Sequence, residues 1–160
     1  PAVKPAASIT RTGIVGVLAT EGTLKADKYQ NTREKYSEDV QIVEHVGKGF
    51  VELVESGETS GKKAEQIVEA SVRPLLDAGA DTIVLGCTHY PFLTEAISLA
   101  ASRIAPDRQV TIIDPAPAVA RHLEEVMRNE GLLPCGDGPE VELYSSGEDS
   151  TLIETYSRII

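Results

Sequence analysis

The 160-residue sequence predicts an α/β fold, a mostly parallel sheet flanked by helices. Three observations predict it. Short, nearly continuous apolar runs recur at Gly13-Ile14-Val15-Gly16-Val17-Leu18-Ala19, Asp81-Thr82-Ile83-Val84-Leu85 and Val110-Thr111-Ile112-Ile113, the pattern of strands buried on both faces. Segments with apolar residues at helical spacing alternate with these runs, as in βαβ units. No internal repeat or low-complexity tract interrupts the alternation.

In chain order, residues 1–12 read as a connecting arm, opened by Pro1 and Pro5. The first strand is residues 13–19. Thr20-Glu21-Gly22-Thr23 makes a turn in which Thr23 is a plausible N-cap, and a polar helix over residues 24–36 follows. Residues 40–46 alternate as a strand, and Gly47-Lys48-Gly49 is a loop. Phe50, Leu53 and Val54 share one face of a short helix over residues 50–55. A loop over 56–61 leads to an amphipathic helix over 62–77, closed by Gly79 and expected to kink or break near Arg73 ahead of Pro74.

The strand over 81–85 is followed by a helix over 91–104 with Pro91 in its first turn. A strand over 110–113 ends at Asp114-Pro115, and a helix spans 116–130. Residues 131–139 form a Gly- and Pro-rich loop, 141–144 a strand and 150–160 a terminal helix. In such sheets, sites form beyond the carboxyl ends of the strands. That singles out three turns: Thr20-Glu21-Gly22-Thr23, Gly86-Cys87-Thr88-His89 and Asp114-Pro115.

Composition excludes several function classes. Lys and Arg number 15 against 25 Asp and Glu, a formal charge of −10, so the surface repels nucleic-acid backbones and anionic membranes. Aromatic residues are only 4% and Trp is absent, which leaves no platform for stacking bases. No apolar run is long enough for a transmembrane helix. The two cysteines, Cys87 and Cys135, share no metal or redox spacing, and the reducing cytoplasm is the simplest setting. His45, His89 and His122 show no ligand spacing, so no metal is expected. The opening Pro1-Ala2-Val3-Lys4-Pro5, with Met127 the only methionine, suggests a piece of a longer protein.

Cys87 stands out chemically. It follows a buried strand and precedes a helix start, where free backbone N–H groups and the helix dipole stabilise a thiolate. Gly86 allows a sharp turn or a close approach. His89, two residues on, can act as acid, hydrogen-bond donor or cation. The Thr88 hydroxyl and nearby N–H groups suit a carboxylate. The bland alternative is a small buried apolar cysteine at a strand end beside a structural histidine.

Leu85-Gly86-Cys87-Thr88-His89-Tyr90-Pro91 resembles the second cysteine motif of glutamate racemases, in the aspartate/glutamate racemase superfamily. Weaker likenesses support it: Val3-Lys4-Pro5-Ala6, Gly16-Val17-Leu18-Ala19-Thr20 with Thr23, Phe50-Val51-Glu52-Leu53-Val54-Glu55, and Ile113-Asp114-Pro115. The resemblance implies one half of a two-domain racemase fold. Residues 1–109 would be the second domain, and 110–160 a C-terminal segment that packs back on the first. It implies a cofactor-independent enzyme interconverting L- and D-glutamate through two cysteines on opposite faces of the α-carbon, supplying D-glutamate for peptidoglycan.

Carried over, Cys87 is one of the two bases, His89 assists it, and Glu55 orients His89. Glu52 is a rival to Glu55, which better matches the family's terminal Val-Glu. Thr88, His89, Thr20 and Thr23 would line the substrate site. Gly47-Lys48-Gly49 departs from the Cys-Pro often found in that loop.

The opposing cysteine's Asn-Thr-containing turn and its supporting aspartate have no counterpart here, and Cys135 has the wrong surroundings. The chain is therefore expected to hold half a site and to be inactive alone. Segment 110–160, without its partner, is expected to expose apolar surface and form a homo-oligomer. The alternatives are an aspartate racemase, a Cys-His hydrolase (which lacks the Gly-x-Cys-x-Gly elbow, His89 taking the last Gly position) and a non-catalytic interaction module.

Overall fold

The computed structural model describes residues 2–132, 142–148, 150, 153–154 and 156–157. The chain divides into two compact units, Pro1–Val119 and Ala120–Ile160.

The first unit is built on a four-stranded sheet of β1 (Ile14–Ala19), β2 (Gln41–Val46), β3 (Thr82–Leu85) and β4 (Thr111–Ile113). Its order is β2-β1-β3-β4 and every pairing is parallel, as the apolar runs predict. All four carboxyl ends therefore lie along one edge.

Because side chains alternate along a strand, β1 feeds two cores. Val15, Val17 and Ala19 join Val84 and residues of α1 (Val3–Ile9), with Leu24 of α2 (Glu21–Lys25) and Tyr29 of α3 (Asp27–Tyr36) packed against them. Leu18 faces the other way, with Ile83 and Leu85. There it meets α4 (Phe50–Glu55), α5 (Gly61–Asp77) and α6 (Thr94–Ile104) through Phe50, Leu53, Val68, Val72, Leu75 and Ile97. Each of these aliphatic and aromatic side chains contributes roughly 1.5–3 kcal/mol by leaving water.

Several expectations are corrected. The predicted arm over residues 1–12 contains helix α1, in which Val3 and Ala6 are buried, Ala6 against the sheet residues Val15, Val17 and Val84. Pro5 fits its first turn, where an N–H has no intrahelical partner. The single helix expected over 24–36 is two, divided at Ala26, which is extended at φ −71° and ψ 133°. Beyond the break, Tyr29 donates to Glu44 on β2 (2.8 Å), and Arg33 pairs with the same carboxylate at 2.9 Å.

Helix α5 runs through Pro74 without a break. Pro74 stands in the closing turns, so only one helical bond is lost there. Beyond the helix end, the Leu76 carbonyl accepts from the Gly79 N–H at 2.9 Å, and Arg108 binds the carbonyls of Leu76 (2.9 Å) and Ala80 (3.1 Å). The helix expected over 91–104 is a 3₁₀ turn, Tyr90–Leu93, followed by α6.

Asp81 pins the α1–β1 connection to the sheet. Its carboxylate, almost fully buried, accepts from the Thr10 hydroxyl (2.5 Å), the N–H groups of Arg11 (2.7 Å) and Thr12 (3.0 Å), and the Thr82 hydroxyl (3.1 Å). Burial pushes its pKa up, but these donors together outweigh burial and hold it below the ordinary carboxylate value.

Helix α7 (Ala116–Asn129) is amphipathic yet buries none of its residues. Val119, Leu123 and Val126, spaced on one face, are all exposed. In the strand expected over 141–144, Glu142, Leu143 and Tyr144 are exposed and carry no regular structure. So short an alternation buries too little to hold a strand without a pairing partner. Of the terminal helix, Ser150, Ile153, Glu154, Tyr156 and Ser157 are helical. Cys135 and Val141 lie outside the described residues. Among the described residues, no helix is long and apolar enough to cross a membrane.

Candidate active site

The parallel order puts the ends of β1, β2 and β3 side by side, so three loops gather at one sheet edge. Leu18 and Leu85 are register partners, and the Gly86 N–H continues the ladder to the Leu18 carbonyl at 2.7 Å. A Cβ at Gly86 would lie 2.9 Å from the Ala19 Cβ and 3.1 Å from the Leu18 oxygen. Glycine is required here for close approach, and it brings the start of the Cys87 loop against the end of β1.

Cys87 is partly exposed and its thiol is free. Its sulfur lies 3.8 Å from His89 Nδ1, within hydrogen-bond reach for sulfur. The other ring nitrogen, Nε2, lies 2.7 Å from Glu55 Oε1. Glu55 is the last residue of α4, whose apolar face, Phe50 and Leu53, is buried and so turns the acid outward. The Nε2 contact favours the tautomer with its proton on Nε2. The Nδ1 lone pair then faces the thiol, ready to take its proton, and Glu55 balances the imidazolium that results. With the pair partly exposed, solvent screens this attraction.

The dipole expectation for Cys87 needs correction. Cys87 is followed by a turn and a four-residue 3₁₀ turn, and α6 begins only at Thr94. The macrodipole weakens beyond the first turn of a helix, and the side chain within hydrogen-bond reach of the sulfur is His89. Thr88 is exposed in the same turn. Thr20, not Thr23, is the N-cap of α2: its oxygen accepts from the Thr23 N–H at 3.3 Å, and the two hydroxyls are 2.9 Å apart. Thr20 ends the connection from β1 and Thr23 lies in the first turn of α2 directly beyond it, next to the loop leaving β3.

Sequence reasoning missed Tyr90 and Gly47. Tyr90 is fully buried, packs edge-on against Phe50 (centroids 4.9 Å apart) and donates its hydroxyl to the Gly47 carbonyl at 3.3 Å. Its place in the motif beside Pro91 was visible; its partner, 43 residues earlier, was not. His45, near the end of β2, has its pKa lowered by burial first and by Lys48 second. Among the described residues, no cluster of three or more His, Cys, Asp or Glu could hold a metal. A groove of about 410 Å³ lined by Gly13, Arg33 and residues 37–42 lies at the opposite sheet edge.

Comparison with known proteins places the chain in a family. The family model for Asp/Glu/hydantoin racemases matches residues 2–123. A glutamate racemase from Pseudomonas putida (strain W619) is 43% identical over 152 residues, 95% of this chain and 56% of that protein. The chain thus spans little more than half the length of such curated relatives. A glutamate racemase isoform from Bacillus anthracis superposes with a TM-score of 0.81 at 26% identity, covering 98% of this chain and 57% of that one. The Escherichia coli glutamate racemase, solved with L-glutamate and the activator UDP-MurNAc-Ala, superposes at 0.75 and 28%, covering 99% and 59%. The α/β fold with a parallel sheet is thus the fold of glutamate racemase structures, and the chain belongs to the Asp/Glu/hydantoin racemase family.

Proposed function

We propose that this chain supplies one of the two proton-transferring faces of a cofactor-independent glutamate racemase. The observation that carries the reading is a free thiol, Cys87, 3.8 Å from a histidine that is itself held by Glu55, in a chain of this family. Inverting an α-carbon requires removing a proton from one face and delivering one to the other. Cys87 is the base on one face. The other base belongs to the portion of the relatives that this chain does not span.

His89 takes the thiol proton at Nδ1 and returns it, and Glu55 keeps the ring oriented. The α-proton is weakly acidic, so carbanion character must be stabilised by fixed dipoles in a site closed to water. The Thr20, Thr23 and Thr88 hydroxyls, with the N–H groups of their loops, bind the substrate's carboxylate and amino groups. L-glutamate in the Escherichia coli relative supports an amino-acid substrate of this class. The product, D-glutamate, is the peptidoglycan building block, made in the cytoplasm. The exposed apolar face of α7, Val119, Leu123 and Val126, packs in the whole enzyme against the first domain.

The test is α-proton exchange into each glutamate enantiomer in heavy water, using a two-domain protein that carries this chain as its second half. Exchange and racemisation are expected, with loss of racemisation by on the order of a thousandfold or more in Cys87→Ser. Undiminished racemisation in that variant overturns the reading. Aspartate turned over faster than glutamate would assign the chain to an aspartate racemase instead.

A further inference from the structure

The Gly47 carbonyl is a junction. It accepts from the Phe50 N–H, which opens α4, at 3.3 Å and from the Tyr90 hydroxyl at 3.3 Å. The Gly47 N–H is tied in turn to the Ala19 carbonyl at 3.2 Å. One residue, through its N–H and its carbonyl, therefore joins the end of β1, the start of α4 and the Cys87 motif.

Gly47 is glycine for a reason of space. Its φ is not in the left-handed region, unlike that of Gly49 at +80°. A Cβ there would lie 2.6 Å from the Tyr90 hydroxyl oxygen and 2.7 Å from Cζ. The ring of Tyr90 would fill the core equally well as phenylalanine; the hydroxyl serves only the contact with Gly47. Burial first, and the nearby Cys87 second, push the phenol up to about 12, so it remains a donor throughout the working pH range.

Helix α4 has six residues and cannot hold itself in place by its own hydrogen bonds. Glu55 is its last residue, about 7.5 Å along the axis from Phe50, so a small tilt at the Gly47 end displaces the carboxylate from His89.

We propose that Tyr90 is a positioning residue, whose hydroxyl, through the Gly47 carbonyl, sets α4 at the angle where Glu55 meets His89. The motif that carries Cys87 thus also places the acid that orients Cys87's histidine. The relevance of this to proton transfer rests on the function proposed above; the coupling itself does not.

The experiment uses this chain with Cys135→Ser and ¹⁵N-labelled histidine, of which there are only three residues. Imidazole nitrogen shifts of His89 report its contact with Glu55, and iodoacetamide reports the reactivity of Cys87. Glu55→Gln sets the shift position for the altered partner. Tyr90→Phe keeps the ring and is expected to fold, to move the His89 signals at least half-way to their Glu55→Gln position, and to change the alkylation rate by about threefold. Gly47→Ala should move the same signals. His89 signals that coincide with those of the parent chain in a folded Tyr90→Phe variant, while Glu55→Gln displaces them, overturn the proposal. Because neither readout requires racemisation, its failure is distinguishable from failure of the Cys87→Ser exchange test.

Discussion

Glu55 and His89 are 34 residues apart in the chain, and their side chains meet at 2.7 Å. The meeting makes Glu55 rather than Glu52 the partner: both are acids on α4, but only Glu55 reaches the imidazole. Glu55→Gln in the two-domain protein should lower the exchange rate on the order of a hundredfold while leaving Cys87 in place, as isotope exchange would show. Asp81 is the residue whose weight was least visible in the sequence, where it reads only as the start of a strand. Asp81→Asn removes a charge that accepts four hydrogen bonds and should cost about 2 kcal/mol in urea unfolding.

The sign of its pH dependence follows from its lowered pKa. The stabilisation is present above the unfolded carboxylate value and is lost as pH falls from about 3.9 through the lower, folded value. His45, also lowered, weakens the fold as pH falls below about 6.5, because the unfolded chain then binds the proton more readily. Melting temperature against pH should therefore descend in two stages, the lower one flattened in Asp81→Asn.

At the scale of elements, the two glycines Gly86 and Gly22 make opposite predictions. Gly86→Ala forces a Cβ against the Ala19 Cβ and the Leu18 carbonyl, both part of the rigid sheet, and should cost about 1–3 kcal/mol. At Gly22, inside α2, a Cβ meets nothing within 4 Å. Gly22→Ala should be neutral or stabilise by about 0.5–1 kcal/mol. Chemical denaturation of the two variants checks both. The strands of the sheet were legible because they are short apolar runs bounded by turn residues. The division of residues 24–36 at Ala26 was not, since the local sequence there favours continuous helix, and the turn serves a distant contact between Tyr29 and Glu44. Helix α1 was hidden for the same reason: Pro1 and Pro5 read as linker, while Val3 and Ala6 are buried only in the folded molecule.

For the whole molecule, the exposed stripe of Val119, Leu123 and Val126 on α7 is the feature with solution consequences. Apolar surface on a helix face drives association, so sedimentation of this chain should show a concentration-dependent mass. Leu123→Glu should return it to monomer. Sedimentation as a monomer at high concentration in the parent chain would remove the case for a homo-oligomer.

The sequence by itself determined the α/β class, the parallel sheet and the family, and it singled out Cys87 as the candidate thiol. Those depend on local periodicity and on one contiguous motif, Gly86-Cys87-Thr88-His89-Tyr90-Pro91. The tertiary structure supplied the contacts that the resemblance only implied, His89 beside the Cys87 sulfur and Glu55 rather than Glu52 at its ring, and it alone showed that Tyr90 reaches back to Gly47. The physical reason is that the order β2-β1-β3-β4 brings together loops far apart in the chain, and contacts of that kind leave no periodic trace in sequence.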